Sequence, residues 1–133
     1  SGATYSVNEG NSRYWSAGMK RYVDHVKYDK ESPHSLRYIG SMVADVHRTL
    51  LYGGTFSYPG DSKSPNGKLR ILYECFPMAY IMERAGGAAS DGTQRILDIV
   101  PTSIHQRHPI HMGSDEDVEE IDRFHREAEM EGK

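Results

Sequence analysis

The spacing of apolar and polar residues along the chain predicts strands that alternate with helices. Residues 3–7 have the pattern of a short strand, and residues 15–28 have the pattern of a helix. One face of this helix carries four apolar side chains, those of Met19, Tyr22, Val23 and Val26. Residues 29–37 are polar and contain a proline, so we interpret them as a loop.

The second part of the pattern predicts a further series of short elements. Ser41 is suited to cap a helix that runs through Leu51 and ends at Gly53 and Gly54. Residues 55–58 follow as a strand. The later predictions are a strand over residues 69–74, a helix from about Pro77 to Gly86, short strands over residues 88–90, 96–99 and 109–112, and a last helix that begins with Ser114 to Asp117.

This order of elements predicts an α/β fold, a layered mixed β-sheet flanked by helices on both faces. No repeat or low-complexity segment interrupts the chain, so we expect residues 1–133 to form a single domain. A chain of 133 residues buries roughly two-thirds of its unfolded surface, which is enough for a core.

Composition argues against several classes of protein. Hydrophobic residues make up 37% of the chain, and no apolar run approaches the ~20 residues of a membrane span. The single cysteine, Cys75, excludes an intrachain disulfide, so we expect a reducing, cytoplasmic location and a buried structural thiol. The chain opens without a signal-peptide pattern.

Charge is divided unequally along the chain. Residues 1–113 hold 13 Lys and Arg against 10 Asp and Glu, whereas residues 114–133 hold 3 against 9. The mildly basic body suits a small anionic substrate and is too weakly charged for a nucleic-acid site. The acidic end is most simply the solvated face of a helix. Pro109 interrupts the spacing of His105, His108 and His111, which argues against a histidine metal site.

The segment from Lys63 to Glu74 carries the strongest candidate chemistry. A turn over residues 64–67 leads into an apolar stretch that Lys68 precedes and that ends on Glu74. An ammonium group for phosphate and a carboxylate for a divalent metal are what a phosphate-handling site requires. On its own this pattern is also typical of a solvated edge strand.

Several motifs together resemble fructose-1,6-bisphosphatase, and specifically the C-terminal portion of that enzyme. The similarity follows the same order over nearly the whole chain. The motifs are Asn8-Glu9-Gly10, Tyr38-Ile39-Gly40-Ser41-Met42, Asn66-Gly67-Lys68-Leu69-Arg70, Tyr73-Glu74-Cys75, Ala85-Gly86-Gly87, Ile104-His105-Gln106-Arg107 and Gly113-Ser114. The resemblance implies magnesium-dependent hydrolysis of the 1-phosphate of fructose 1,6-bisphosphate to fructose 6-phosphate, a step of gluconeogenesis.

The resemblance also implies a set of site residues. Glu74 corresponds to a ligand of catalytic Mg²⁺, and Arg37 to a residue that reaches the 6-phosphate of a neighbouring subunit in a homotetramer. The remaining residues implied to contact the sugar or its 6-phosphate are Asn8, Asn11, Tyr38, Met42, Tyr58, Lys68 and Leu69. Many animal members have Tyr where this chain has Asn11, so Asn11 is the weakest member of the set.

Several of these residues, and their neighbours on the predicted helix, can also be explained by packing or ion pairing without a ligand. Tyr38 and Tyr58 could be half-buried core tyrosines. Asp45 and Arg48, three residues apart on one predicted helix, are most simply a local ion pair. Met42, Val46 and Leu50 are typical of a core stripe, so only the joint match favours a site.

Two motifs that build most of the family's metal cluster, a paired Glu and Asp-Pro-Leu-Asp-Gly-Ser, do not occur in this sequence. The family's nucleotide inhibitor site lies in the N-terminal half, which has no counterpart here. We therefore expect the 133-residue chain to be inactive by itself. Two alternatives stay open, sedoheptulose-1,7-bisphosphatase and a non-catalytic sugar-phosphate-binding module. No nucleic-acid or membrane partner is expected.

Overall fold

The computed structural model describes residues 3–29, 31, 33–60, 62, 66–67 and 69–131. Its five strands are β1 (Thr4–Ser6), β2 (Ser35–Leu36), β3 (Thr55–Tyr58), β4 (Gly87–Ser90) and β5 (Ile110–Ser114). Its α-helices are α1 (Ala17–Asp24), α2 (Met42–Tyr52), α3 (Phe76–Arg84) and α4 (Asp115–Met130). Short 3₁₀-helices span Glu9–Tyr14 and Ile96–Asp98, and π-helical turns span His25–Asp29 and Ile71–Cys75.

The strands form one mixed sheet in the order β2-β1-β3-β5-β4. Strand β1 is parallel to both β2 and β3, whereas β5 is antiparallel to both β3 and β4. The carboxyl ends of β1, β2 and β3 therefore lie at one edge of the sheet. Because Tyr58 pairs with Ile110, the residues just before β5 reach the same edge.

Helices cover both faces of this sheet, as the sequence predicts. Phe56 of β3 packs into a core cluster with residues of α2 and α3, while its neighbours Thr55 and Ser57 face the other side. There Thr55 meets Tyr22 of α1, with 3.5 Å between the hydroxyl oxygens. A second cluster joins β1, α1 and α4 on that side.

The predicted caps and core faces explain where the helices lie. Ser41 Oγ accepts a hydrogen bond from the Ala44 amide at 3.4 Å, which begins α2 at the predicted position. Met19, Tyr22, Val23 and Val26 are all buried, which confirms the predicted apolar face. The first turn of α4 carries Asp115, Glu116 and Asp117, where the helix dipole favours acids.

Two predicted strands are wrong. Among the described residues, the segment 69–74 makes one isolated bridge, between Arg70 and Arg107, and then continues as the π-helical turn that leads into α3. Its buried residues recur at helical spacing, as Ile71, Cys75 and Ala79, and this longer pattern overrides the local alternation. The predicted strand over residues 96–99 is instead a 3₁₀ turn, Ile96–Asp98, next to an isolated bridge between Ser90 and Arg95.

Two other predictions are corrected in part. The predicted loop over residues 29–37 contains strand β2, which is only two residues long and exposed. Its pairing is visible only in the fold, where the Arg37 amide donates to Tyr5 O at 3.0 Å. The predicted helix over residues 15–28 is α1 followed by a π-helical turn. In the described part of the chain, no helix has the length and apolar character that crossing a membrane requires.

Candidate functional site

The structure brings most of the predicted site residues to one edge of the sheet. Asn8 follows β1, Arg37 and Tyr38 follow β2, and Tyr58 ends β3. These three strands are mutually parallel in the order β2-β1-β3, so their following residues emerge side by side. The carboxyl edge of parallel strands is the usual place for a ligand site in α/β folds.

Asn8 and Asn11 lie at the start of the 3₁₀-helix that follows β1. The Asn8 side chain is exposed and caps this helix, because its Oδ1 accepts from the Gly10 amide at 3.0 Å. The cap fixes the orientation of the side chain and leaves its amide NH₂ group without a partner among the described residues. Asn11 is half-buried one turn further on, and its backbone amide donates to Asn8 O at 3.2 Å.

Four of the implied contact residues, Tyr38, Met42, Tyr58 and Leu69, are associated with one core cluster. Leu69 belongs to the core cluster around Phe56, and the other three are partly buried against that cluster. Burial raises the pKa of Tyr38, and the nearby Tyr58 and Asp45 add to the increase. The Tyr38 hydroxyl therefore remains protonated at neutral pH and can donate a hydrogen bond to an anion. The same packing agrees with the alternative interpretation of both tyrosines as half-buried core residues.

Arg37 directly follows β2 and precedes Tyr38. Its side chain is exposed, and its Nη1 donates to the carbonyl of Leu36 at 3.1 Å. It forms no ion pair with any described acid, so its charge can be directed outward. The expected contact to a neighbouring subunit requires an exposed side chain, and Arg37 has one.

The ion pair expected between Asp45 and Arg48 is confirmed, with 2.9 Å between Arg48 Nη1 and Asp45 Oδ1. Sequence analysis missed the other contacts of this pair. Asp45 also accepts from the Ile39 amide at 3.0 Å and from the Gly40 amide at 3.2 Å. An acid in the first turn of a helix just after a Gly-Ser pair was the available signal, because such an acid can cap a preceding turn.

Lys68 lies outside the described residues. Its neighbours on both sides approach the segment before β5. Gly67 has a φ of +71°, and an added Cβ there would lie 3.2 Å from His108 O. Leu69 O accepts from the His108 amide at 2.9 Å. Gly67 and Leu69 therefore lie near the edge where the parallel strands end.

Glu74 lies in the π-helical turn before α3 and not at the end of a strand. Its Oε1 accepts from the Arg70 amide at 2.9 Å, and the side chain is half-buried. Among the described residues, no three His, Cys, Asp or Glu side chains come together as a metal cluster. Glu74 can therefore offer a hard cation one carboxylate, which is fewer protein ligands than a self-sufficient divalent site needs.

Cys75, which follows this glutamate, is fully buried, as the sequence predicts. Burial raises the pKa of its thiol to about 12, and the charge of Glu74 contributes further. A thiol in this environment is unreactive, so its part is in packing.

A second group of polar side chains lies on the opposite face of the sheet, where His111 and Ser57 are buried and His125 is half-buried. His111 Nδ1 and Ser57 Oγ are 2.9 Å apart, and the His111 and His125 rings are 5.2 Å apart. His111 is 1% exposed, and burial lowers its pKa to about 3; His125 lowers it further, while Asp91 opposes the shift. Because His111 and Ser57 are buried, we interpret the group as part of the packing of α4 on the sheet.

Comparison with known proteins gives one family over most of the chain. The model of the family described as "Fructose-1-6-bisphosphatase, C-terminal domain" matches residues 1–126. Curated relatives include the cytosolic fructose-1,6-bisphosphatases of Solanum tuberosum and Musa acuminata. The first is 62% identical over 131 residues, which is 97% of this chain and 38% of the relative. The second is 65% identical over 122 residues, which is 90% of this chain and 36% of the relative. The chain therefore spans less than two-fifths of the length of these relatives.

Proposed function

The chain belongs to the fructose-1,6-bisphosphatase family, and we propose that it supplies the sugar and 6-phosphate pocket of an enzyme that hydrolyses the 1-phosphate of fructose 1,6-bisphosphate. The products would be fructose 6-phosphate and inorganic phosphate. The single observation that supports this most is the shared position of Asn8, Arg37, Tyr38 and Tyr58, which follow or end three parallel strands at one edge.

The residue types at this edge fit a phosphate dianion. A protonated tyrosine hydroxyl and an asparagine amide donate hydrogen bonds, while an arginine adds charge-assisted ones. Lys68, which lies outside the described residues, would add a further charge. The capped orientation of Asn8 and the partial burial of Tyr38 mean that little side-chain freedom would be lost on binding. Met42 and Leu69 would contact the sugar through their apolar surfaces.

Holding the 6-phosphate at this edge would orient the opposite end of the sugar. Binding energy from a remote part of a substrate can be used to align the reacting group. In this proposal the chain's own residues bind and orient the sugar, and they do not form or break a bond. A full catalytic set is not expected from these 133 residues.

The proposed cofactor is Mg²⁺, with Glu74 as one ligand. When bound, the metal would polarise the 1-phosphate for attack by water, with the C1 oxygen of the sugar as the leaving group. The described residues do not build a magnesium site alone, since Glu74 has no clustered partner among them. The further ligands would belong to the part of the enzyme that carries the two metal motifs named above.

We also propose a cytosolic location and a homo-oligomer in which Arg37 crosses a subunit interface. The names of the relatives include the word cytosolic, which supports the location. The exposed Arg37 guanidinium, which pairs with no described acid, supports a contact outside the chain.

Binding of fructose 6-phosphate to the 133-residue chain tests the pocket. Titration calorimetry with the native chain and with Tyr58→Phe would show weaker binding for the variant, because a donor to the phosphate is lost. The control is Tyr80→Phe, since Tyr80 is exposed on α3, away from the strand ends. No binding to the native chain, or equal loss in both variants, would contradict the pocket.

Release of phosphate from fructose 1,6-bisphosphate with Mg²⁺ tests whether these 133 residues contain a complete catalytic site. The native chain alone is expected to release none. Release by the native chain that disappears in Glu74→Gln would show a complete metal site within these residues. Release that persists in Glu74→Gln would contradict the assignment of Glu74.

A second candidate is a non-catalytic sugar-phosphate-binding module, which the lack of a metal cluster among the described residues favours. Binding of fructose 6-phosphate without turnover, even when an N-terminal segment of a relative is supplied, would support it. Hydrolysis after that addition would support the enzyme. The remaining alternative, sedoheptulose-1,7-bisphosphatase, is tested by supplying both bisphosphates to the completed enzyme. Preferred hydrolysis of sedoheptulose 1,7-bisphosphate would support that alternative.

A further inference from the structure

We propose that Asp45 and Arg48 are positioning residues, which hold the segment 37–40 in the shape that sugar-phosphate binding requires. The inference rests on the proposed function, because it assigns a task to residues behind that pocket. Neither residue belongs to the expected contact set. Both lie on α2, and the segment they hold carries Arg37 and Tyr38.

The burial of Asp45 is the first observation. Its side chain is fully buried, although it is the acid of an ion pair whose arginine is 19% exposed. Burying a carboxylate is costly unless hydrogen bonds and an opposite charge compensate it. Apart from Arg48 on α2, the hydrogen-bond donors to the Asp45 carboxylate among the described residues are backbone amides of the segment 37–40. These hydrogen bonds attach that segment to the helix.

The amide contacts fix the segment after Tyr38. Asp45 Oδ1 accepts from the Ile39 amide at 3.0 Å, and Oδ2 accepts from the same amide at 3.3 Å and from the Gly40 amide at 3.2 Å. Gly40 has a φ of +93°, so the chain turns sharply there before it enters α2. The buried Asp45 carboxylate therefore holds the turn at Gly40 through these backbone hydrogen bonds.

The arginine fixes the segment before Tyr38. Arg48 Nη2 donates to Arg37 O at 3.0 Å, while Nη1 of the same guanidinium contacts Asp45. The planar fork of arginine can hold both partners at once, which a lysine ammonium on a flexible stem does less well. The backbone of Tyr38 is therefore anchored on both sides by one ion pair.

This arrangement gives the pair more than a stabilising task. An ordinary ion pair three residues apart on a helix surface contributes little and holds no other segment. The pair Arg95 and Asp98 has the same spacing, with 2.7 Å between Arg95 Nη1 and Asp98 Oδ1, but both side chains are about half exposed or more. It offers a matched control with the same chemistry and no contact to the segment 37–40.

The test combines binding with hydrogen exchange in the 133-residue chain. The variants are Asp45→Asn, Arg48→Gln and Arg48→Lys, with Asp98→Asn as the charge control. Val23→Ala is the stability control, since Val23 lies in the core cluster on the other face of the sheet. Fructose 6-phosphate affinity is measured by calorimetry, and exchange of the Ile39 and Gly40 amides by NMR.

Asp45→Asn is expected to weaken fructose 6-phosphate binding about tenfold, the effect of one misplaced phosphate contact. It should also speed exchange at Ile39 and Gly40 under conditions where the chain remains folded by circular dichroism. Arg48→Gln should weaken binding similarly, and Arg48→Lys should retain part of the affinity. Neither control should weaken binding, although Val23→Ala lowers the melting temperature.

Two results would overturn the inference, and they are distinguishable. Faster exchange at Ile39 and Gly40 in Asp45→Asn with unchanged affinity would mean that the pair stabilises the turn without serving the pocket. Equal weakening in Asp45→Asn and Val23→Ala would mean that lower stability alone accounts for the loss. Absence of binding in the native chain would instead overturn the proposed function, and the positioning role with it.

Discussion

His111 should make the chain less stable in mild acid, and the effect can be isolated with one substitution. The imidazole is buried against Ser57, which lowers its pKa from the ordinary 6.5 to about 3. Between these two values the unfolded chain binds a proton that the folded chain does not. Stability therefore falls as the pH falls below about 6.5, by up to ~1.4 kcal/mol per pH unit.

The size of the effect follows from the two pKa values. Going from pH 7 to pH 5, the His111 contribution to the free energy of unfolding should decrease by about 2 kcal/mol. His111→Asn removes the titrating ring, and its amide can still meet Ser57. The variant should be less stable at pH 7 because of the lost packing. The gap between native and variant should shrink by about 2 kcal/mol at pH 5.

Urea unfolding followed by the fluorescence of Trp15, the only tryptophan, provides the measurement. Trp15 is buried, so unfolding changes its environment. Free energies extrapolated to zero urea at pH 7 and pH 5 are compared for the native chain, His111→Asn and His47→Gln. His47 is exposed on α2 and controls for the loss of an imidazole as such. A native-to-variant gap of equal size at both pH values would refute the reasoning.

Three further predictions concern stability and reactivity. Gly113→Ala should lower the free energy of unfolding by about 3 kcal/mol, because the added Cβ would overlap the carbonyl of Gly54. Gly86→Ala, which has open space around it, should lower it by about 1 kcal/mol through backbone strain alone. Melting curves of the two variants check this contrast, and equal losses of stability would contradict it. The Cys75 thiol should react with Ellman's reagent at pH 8 only as fast as the chain unfolds, and prompt labelling of the folded chain would disprove its burial. Ser16→Ala should lose about 1 kcal/mol by removing the cap of α1, where Oγ accepts from the Met19 amide at 3.3 Å, and should leave fructose 6-phosphate binding unchanged.

The helices that sequence analysis predicted well have local signals. The cap at Ser41 and the acids that begin α4 depend on neighbours within four residues, and both elements lie where expected. The prediction for residues 69–74 was wrong because alternation over six residues cannot be separated from the start of a helix. The spacing of Ile71, Cys75 and Ala79 reveals the helix only when residues beyond the segment are included.

The candidate site was likewise predictable from the sequence only in part. The site residues could be named from motifs, because each motif is a short local string. Their common position could not, because it depends on β1 lying between β2 and β3 as a parallel strand. The amide contacts of Asp45 were missed for a similar reason, since a burial pattern does not show which backbone groups a buried carboxylate faces.

The strand order has a consequence for how the chain folds during synthesis. Strand β3 can pair with β1 as soon as both exist, but its other edge requires β5, which begins about 50 residues later at Ile110. At a typical synthesis rate this leaves the edge unpaired for roughly 3–10 s. An open strand edge is a template for pairing with other chains. We therefore expect nascent chains in which β5 has not yet left the ribosome to aggregate or to recruit chaperones, and those in which β5 has emerged to escape both fates.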